Sequence, residues 1–193
     1  MDRRDQVYSR AAGENDSMRK VMYLMGILED QDVEWLGKHG TPKFTPSGTT
    51  LIQEGSPIED IFVVLDGKLS VLVKALGDRE IAGLLAGEVV GEMSFVDSRP
   101  PSASVVTRLD SHLLVLSREV LNNKLKTDDG FAGRFYKAVA TLLADRLRKT
   151  TSHLGYGEWT EETDPDELDD SMMDSASLGA TRFDRLLKRL RVN

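Results

Sequence analysis

Residues 87–105 read GEVVGEMSFVDSRPPSASV. The stretch opens on Gly87 and Gly91, passes through a short apolar run of about one helical turn, and closes on two prolines and a row of small residues. Glycine has no Cβ and lets the backbone approach a ligand closely. The first turn of a helix presents N–H groups that no carbonyl inside the helix accepts. The segment therefore has the makings of an anion cradle, with Val90, Gly91, Glu92, Met93 and Ser94 at its entrance and Ser102, Ala103 and Ser104 at its exit. On composition alone, a plain connection between two strands is the more economical reading.

Moving outward, short β-rich runs flank the stretch on both sides: TTLIQ (49–53), DIFVVLD (60–66), KLSVLVK (68–74) and REIAGLLA (79–86) before it, SASVVTRL (102–109) and SHLLVLS (111–117) after it. Gly48, Gly55, Asp66-Gly67, Gly77-Asp78 and Gly87 punctuate them. Asp66-Gly67 is the strongest two-residue turn signal and predicts a hairpin between the runs on either side. Many short strands with no crossover-length helix between them predict an antiparallel roll, barrel or sandwich rather than a parallel α/β sheet.

Helical periodicity brackets the strands. Val21, Leu24, Met25 and Leu28 share one face, and Val33 and Leu36 begin a second short helix near Asp30. After the strands, Arg118 to Lys126 reads as helix. Residues 131–150 then carry Phe131, Phe135, Val139, Leu142, Leu143 and Leu147 on one stripe, suited to packing on the roll or to homodimer formation. An acidic run from Glu158 to Asp170 without lysine or arginine reads as a solvated linker. Beyond it, Phe183, Leu186, Leu187 and Leu190 line the apolar face of a basic tail helix, with Thr181 and Asp184 as a capping box. The organisation read from the sequence is a flexible N-terminus at 1–16, one domain at 17–153, an acidic linker at 154–178 and a tail helix at 179–193.

Several function classes are disfavoured. A formal net charge of -7 is the wrong sign for a surface that displaces counterions from nucleic acid. There is no cysteine, which removes disulfides and thiolate metal ligation. His39, His112 and His153 lie far apart, no serine stands in a nucleophile elbow, and no phosphate loop ends in Gly-Lys-Ser or Gly-Lys-Thr. The expectation is a chain that is no enzyme, holds no metal and has no catalytic residue. The charged opening MDRRDQVYSR and the lack of a long apolar run predict a cytoplasmic protein without a secretory signal or membrane span.

Together, Gly55 within QEGSPIEDIFVVLDGKLSV (53–71), Gly67, LLAGEVVGEMSF (84–95), SASV (102–105) and the closing helix resemble the cyclic-nucleotide-binding domain family, of the type found in the catabolite activator protein and the regulatory subunits of cyclic-AMP-dependent kinase. The resemblance spans roughly Met18 to Thr150. It implies a mainly β fold with flanking helices, an antiparallel β-roll (double-stranded β-helix, jelly-roll-like), and a phosphate-binding cassette at Gly91 to Ser104. In that family the glutamate matching Glu92 accepts a hydrogen bond from the ribose 2′-hydroxyl of a cyclic nucleotide such as cyclic AMP, and an arginine later in the cassette pairs with the phosphate. Here Pro101 stands where that arginine is expected. Proline supplies neither guanidinium nor N–H, and losing one partner of a desolvated charge pair costs about 2 to 5 kcal/mol. Arg99, two residues earlier, is the candidate substitute. Tyr156 and Trp159 are candidate lids over the base, since an aromatic face stacks on a purine.

The resemblance extends to regulators that continue into a helix-turn-helix. An acidic linker followed by one short helix does not build that motif, so direct DNA binding is not expected. Two outputs remain: a sensor whose ligand rearranges the C-terminal helices, and a ligand-free scaffold that docks a protein partner through the tail. The four-residue apolar face of the tail is too small for a firm membrane contact.

Overall fold

The computed structural model describes residues 24–153 and 170–192. The expected flexible N-terminus at 1–16 and the candidate lids Tyr156 and Trp159 lie outside the described residues.

Eight strands form two antiparallel four-stranded sheets. One has the order β1-β8-β3-β6, from Thr41–Thr45, Ser111–Ser117, Asp60–Asp66 and Val89–Val90. The other has the order β2-β7-β4-β5, from Thr50–Ile52, Ser104–Thr107, Leu69–Val73 and Arg79–Leu84. This is the β-roll that the resemblance implied. All six sequence runs are strands; β1 and β6 were not foreseen. β1 carries Pro42 and pairs only with β8, as an edge strand tolerates, and β6 is two residues long.

Asp66-Gly67 does not close a hairpin. β3 and β4 belong to different sheets, so this turn carries the chain across the roll. Gly67 is demanded by the crossing: φ is 103°, and a Cβ there would stand 2.2 Å from Ser111 Oγ and 2.7 Å from Ser111 Cα. The one pairing of consecutive strands is β4 with β5, through a 3₁₀ turn at Lys74–Leu76 and the left-handed Gly77 and Asp78.

Between the sheets, Ile52, Phe62, Val64, Leu69, Leu84, Val90, Val105 and Leu113 form the inner core. The alternate residues of β3 and β8, including Ile61, Val63, Leu65, Leu114 and Leu116, face outward onto the helices. The strands thus bury both faces, which is why they read as near-continuous apolar runs.

The helices are α1 (Asp30–His39), α2 (Glu92–Asp97), α3 (Arg118–Thr127), α4 (Asp129–His153) and α5 (Asp170–Leu190). α1 starts where Asp32 Oδ2 accepts the Glu29 N–H at 2.8 Å. α4 starts where Asp128 Oδ1 accepts the Phe131 N–H at 2.8 Å. The α4 stripe is spent on the roll from Phe131 to Leu142, all buried; Leu147 is exposed. Arg134 on α4 grips Asp32 of α1 with two bonds of 2.6 and 2.9 Å and lies 3.4 Å from Glu29. This ties the first described helix to the long one.

α5 departs from the sequence reading in two ways. It begins at Asp170 rather than 179, so Thr181 lies inside it and its hydroxyl donates to Ser177 O at 2.9 Å instead of capping an N-terminus. Its apolar face is not left for a partner: Phe183 and Leu186 are buried and Leu187 and Leu190 partly buried in the main core, with α1 as the chief contact. Burying each of the first two contributes about 1.5 to 3 kcal/mol, enough to hold the helix on the body of the chain. Arg182 and Arg185 both bond Asp30, at 2.6 and 3.0 Å, and hold its carboxyl below the ordinary value of 3.8, the Arg182 bond being the larger cause.

Candidate functional site

The cassette sits between β6 and β7. Gly91 takes φ 91° as the residue before α2, and a Cβ would meet Ile58 Cδ1 at 3.0 Å and Asp60 O at 3.1 Å, so position 91 needs glycine for conformation and for space. The strand-to-helix turn that results sends Glu92 and Phe95 inward while leaving Met93 exposed. Ser98 ends the helix in the left-handed region at φ 58°. The following loop is pinned by the Gly55 N–H, which donates to Pro101 O at 2.9 Å. Ser104 then enters β7 with its hydroxyl accepting from the Glu54 N–H at 3.0 Å and Gln53 Nε2 at 3.3 Å.

The buried Glu92 carboxylate is paired with Arg146, which reaches in from α4 through Nη1. Arg146 Nη2 also donates to Glu88 Oε2 at 3.1 Å and to Val89 O at 2.8 Å. Glu88, itself buried, holds the turn before β6 by accepting the Leu85 N–H at 3.1 Å. One guanidinium, 27% exposed, thus clamps two carboxylates and a strand carbonyl. Burial pushes the Glu92 carboxyl above the usual range, opposed by Arg146 and reinforced by Glu88. Arg146 Nε is buried with no acceptor among the described residues, an orphan donor beside the cassette glutamate.

The other sequence candidates divide. Val90, Gly91, Glu92, Ser94 and Ser104 are packed in the cassette, Ala103 is half-buried, and Ser102 and Met93 are at the surface. Arg99 is not brought to Glu92. Its side chain is 84% exposed, 3.9 Å from Asp97. It lines an outer cleft of about 250 Å³ with Ile58, Ser94, Ser98, Pro100 and Arg118. In this structure Arg99 points to the surface rather than toward Glu92. Arg146 and Glu88 were missed. Arg146 follows Val139 and Leu142 on the buried stripe, and a charge at a stripe position is the signal that marks it. Among the described residues no group of three or more histidine, aspartate and glutamate side chains is placed to hold a metal ion, and no helix is long and apolar enough to cross a membrane.

Residues 42–128 match the family described as the cyclic nucleotide-binding domain. The chain carries a cyclic nucleotide-binding domain. The cyclic AMP receptor protein of Thermus thermophilus is 32% identical to it over 129 residues, covering 66% of this chain and 58% of that protein. The CRP-like cAMP-activated global transcriptional regulator of Mycobacterium tuberculosis is 25% identical over 142 residues, covering 71% and 62%. The chain therefore spans about three fifths of the length of these relatives. A solved cyclic nucleotide-binding domain from Methylobacillus flagellatus superposes with a TM-score of 0.63 at 23% identity, covering 76% of this chain and 89% of that one. The N-terminal domain of a Streptomyces coelicolor transcriptional regulator gives 0.55 at 26%, covering 77% and 98%.

Proposed function

We propose that this chain is a non-enzymatic, cytoplasmic regulatory sensor in which a small anionic ligand of the cyclic-nucleotide class enters the cassette and shifts the C-terminal helices. The observation that carries the reading is the Glu92–Arg146 pair, because it joins the ligand-facing glutamate to α4 through a single side chain. A ribose hydroxyl donating to Glu92 competes with the guanidinium, and a ligand phosphate offers the orphan Nε the acceptor it lacks. Either exchange re-seats Arg146 and with it the C-terminal turns of α4. Cyclic AMP and related nucleotides are the ligands to try first, with affinity reduced by the proline at 101. Contact with a protein partner, rather than with DNA, is the output this reading assigns.

One observation favours a second reading: Arg146 already supplies Glu92 with a cation, which suits a ligand-free scaffold. Such a scaffold would dimerise through α4, where Tyr136 and Leu147 are the exposed large side chains. A calorimetric panel of cyclic mononucleotides separates the two. A ligand that binds only the folded chain stabilises it by about 2.7 kcal/mol at one hundred times its dissociation constant. The sensor predicts saturable binding of at least one nucleotide that raises the melting temperature. No shift with any of them at millimolar concentration contradicts it and leaves the scaffold.

A further inference from the structure

We propose that the outer face of α1, together with the helical residues 24–27 before it, is a docking groove for a basic amphipathic helix, filled in this chain by its own α5 and open to a competing helix of the same chemistry. The groove and its occupant are complementary in charge and in shape. Arg182, Arg185 and Arg189 recur at i, i+3 and i+7 beside the apolar residues Phe183, Leu186 and Leu190. Arg182 donates to Asp30 Oδ1 at 2.6 Å and to the carbonyls of Met25 and Gly26 at 3.2 and 3.4 Å, so one guanidinium reads both an acidic side chain and carbonyls just before α1. Arg185 takes the other oxygen of Asp30 at 3.0 Å, and Arg189 lies 3.6 Å from Glu34. Gly37 opens the floor: a Cβ there would sit 3.0 Å from both Arg189 Cδ and Leu186 Cδ1.

Two features make this contact exchangeable rather than a fixed part of the core. First, α1 has anchors other than α5, because Asp32 is held by Arg134 of α4, and Val33 and Leu36 are buried in the core that also holds Phe131. Second, the edge of the contact is open to solvent: a surface groove of about 380 Å³ runs along it, lined by Asp30, Val33, Glu34 and Leu186 and by Arg182, Arg185 and Arg189. The inference is independent of whether the cassette takes a nucleotide.

The test uses the full chain and a labelled peptide with the sequence of residues 178–192. By hydrogen exchange, α5 amides are expected to be protected, yet to exchange at least tenfold faster than those of β3 and β8. Asp30→Lys should accelerate α5 at least tenfold more and leave the strands unchanged. Pairing Asp30→Arg with Arg182→Glu should recover protection. The peptide should bind the Arg182→Glu/Arg185→Glu chain, whose own helix is weakened, at least tenfold more tightly than the unaltered chain. Loss of α5 protection only together with that of the strands, with no peptide binding to the double variant, overturns the proposal. So does an α5 in the unaltered chain that exchanges as fast as unfolded peptide.

Discussion

Glu92 is a carboxylate taken out of water and given a cation from a helix 54 residues further along the chain. Burial outweighs that cation, so the proton is held more tightly in the folded chain than in the unfolded one. The sign follows: the group favours folding below its ordinary value of 4.5, and that contribution is lost as pH rises above it. Glu92→Gln should therefore flatten the dependence of melting temperature on pH between 4.5 and neutrality relative to the unaltered chain; an unchanged slope would mean that Glu92 titrates normally. Pro101 makes the complementary case. Pro101→Arg keeps the carbonyl that accepts the Gly55 N–H and adds the missing cation. It should raise affinity for cyclic nucleotides at least about tenfold by calorimetry; no gain would mean that the phosphate does not lie at this loop. The Gly91-Glu92 turn was legible as a glycine and an acid between two strand runs, whereas the ligand role of Glu92 and the cation expected at Pro101 rest on the family resemblance. Arg146 was marked only as a charge on the buried stripe of α4; its pairing with Glu92 was not legible, because how α4 crosses the roll sets it, and residues 54 apart carry no spacing signal.

Among elements, the turn at Asp66-Gly67 shows where local chemistry underdetermines topology. The dipeptide specifies a sharp reversal, but whether the next strand pairs with its predecessor or crosses to the other sheet depends on which apolar face each buries. Here β3 is committed to β6 and β8, so β4 crosses. The close approach of Ser111 to Gly67 is the mark of that crossing. Gly67→Ala should cost about 2 kcal/mol or more, roughly 4 to 8 °C in thermal unfolding. Gly77→Ala, with φ 71° and nothing within 4 Å of a Cβ, should cost about 1 kcal/mol or less. Equal losses at the two sites would show that the crossing imposes no steric demand. The runs of β3 and β8 were the most readable, because a strand buried on both faces has no polar alternation to hide it. The edge strand β1 lacks such a run, with only Thr45 buried. α5 was under-read by nine residues: in DSMMDSASL only Met172, Met173 and Ala176 extend the apolar period of Phe183 and Leu186, among acidic and small residues that read as linker.

Over the whole molecule, arginines from the C-terminal helices do the joining. Arg146 holds α4 to the cassette, Arg134 holds α4 to α1, and Arg182 and Arg185 hold α5 to α1. A chain of net charge -7 thus places arginines at the seams between its parts, with Arg134, Arg146 and Arg182 largely buried and Arg185 exposed. The seam at Glu92 is the one at which the proposed ligand would act, and in that proposal a change there passes along α4 toward α1. The fold itself was legible from strand runs and glycines; the wiring between its parts was not, since it resides in long side chains whose partners are distant in sequence. The most direct measurement is the side-chain Nε–H resonance of Arg146, followed by nuclear magnetic resonance while cyclic nucleotides are titrated into the full chain. A saturable shift of that resonance with at least one nucleotide, tracking the calorimetric binding curve, is the predicted result. A nucleotide that binds while the Arg146 resonance stays fixed would contradict the account.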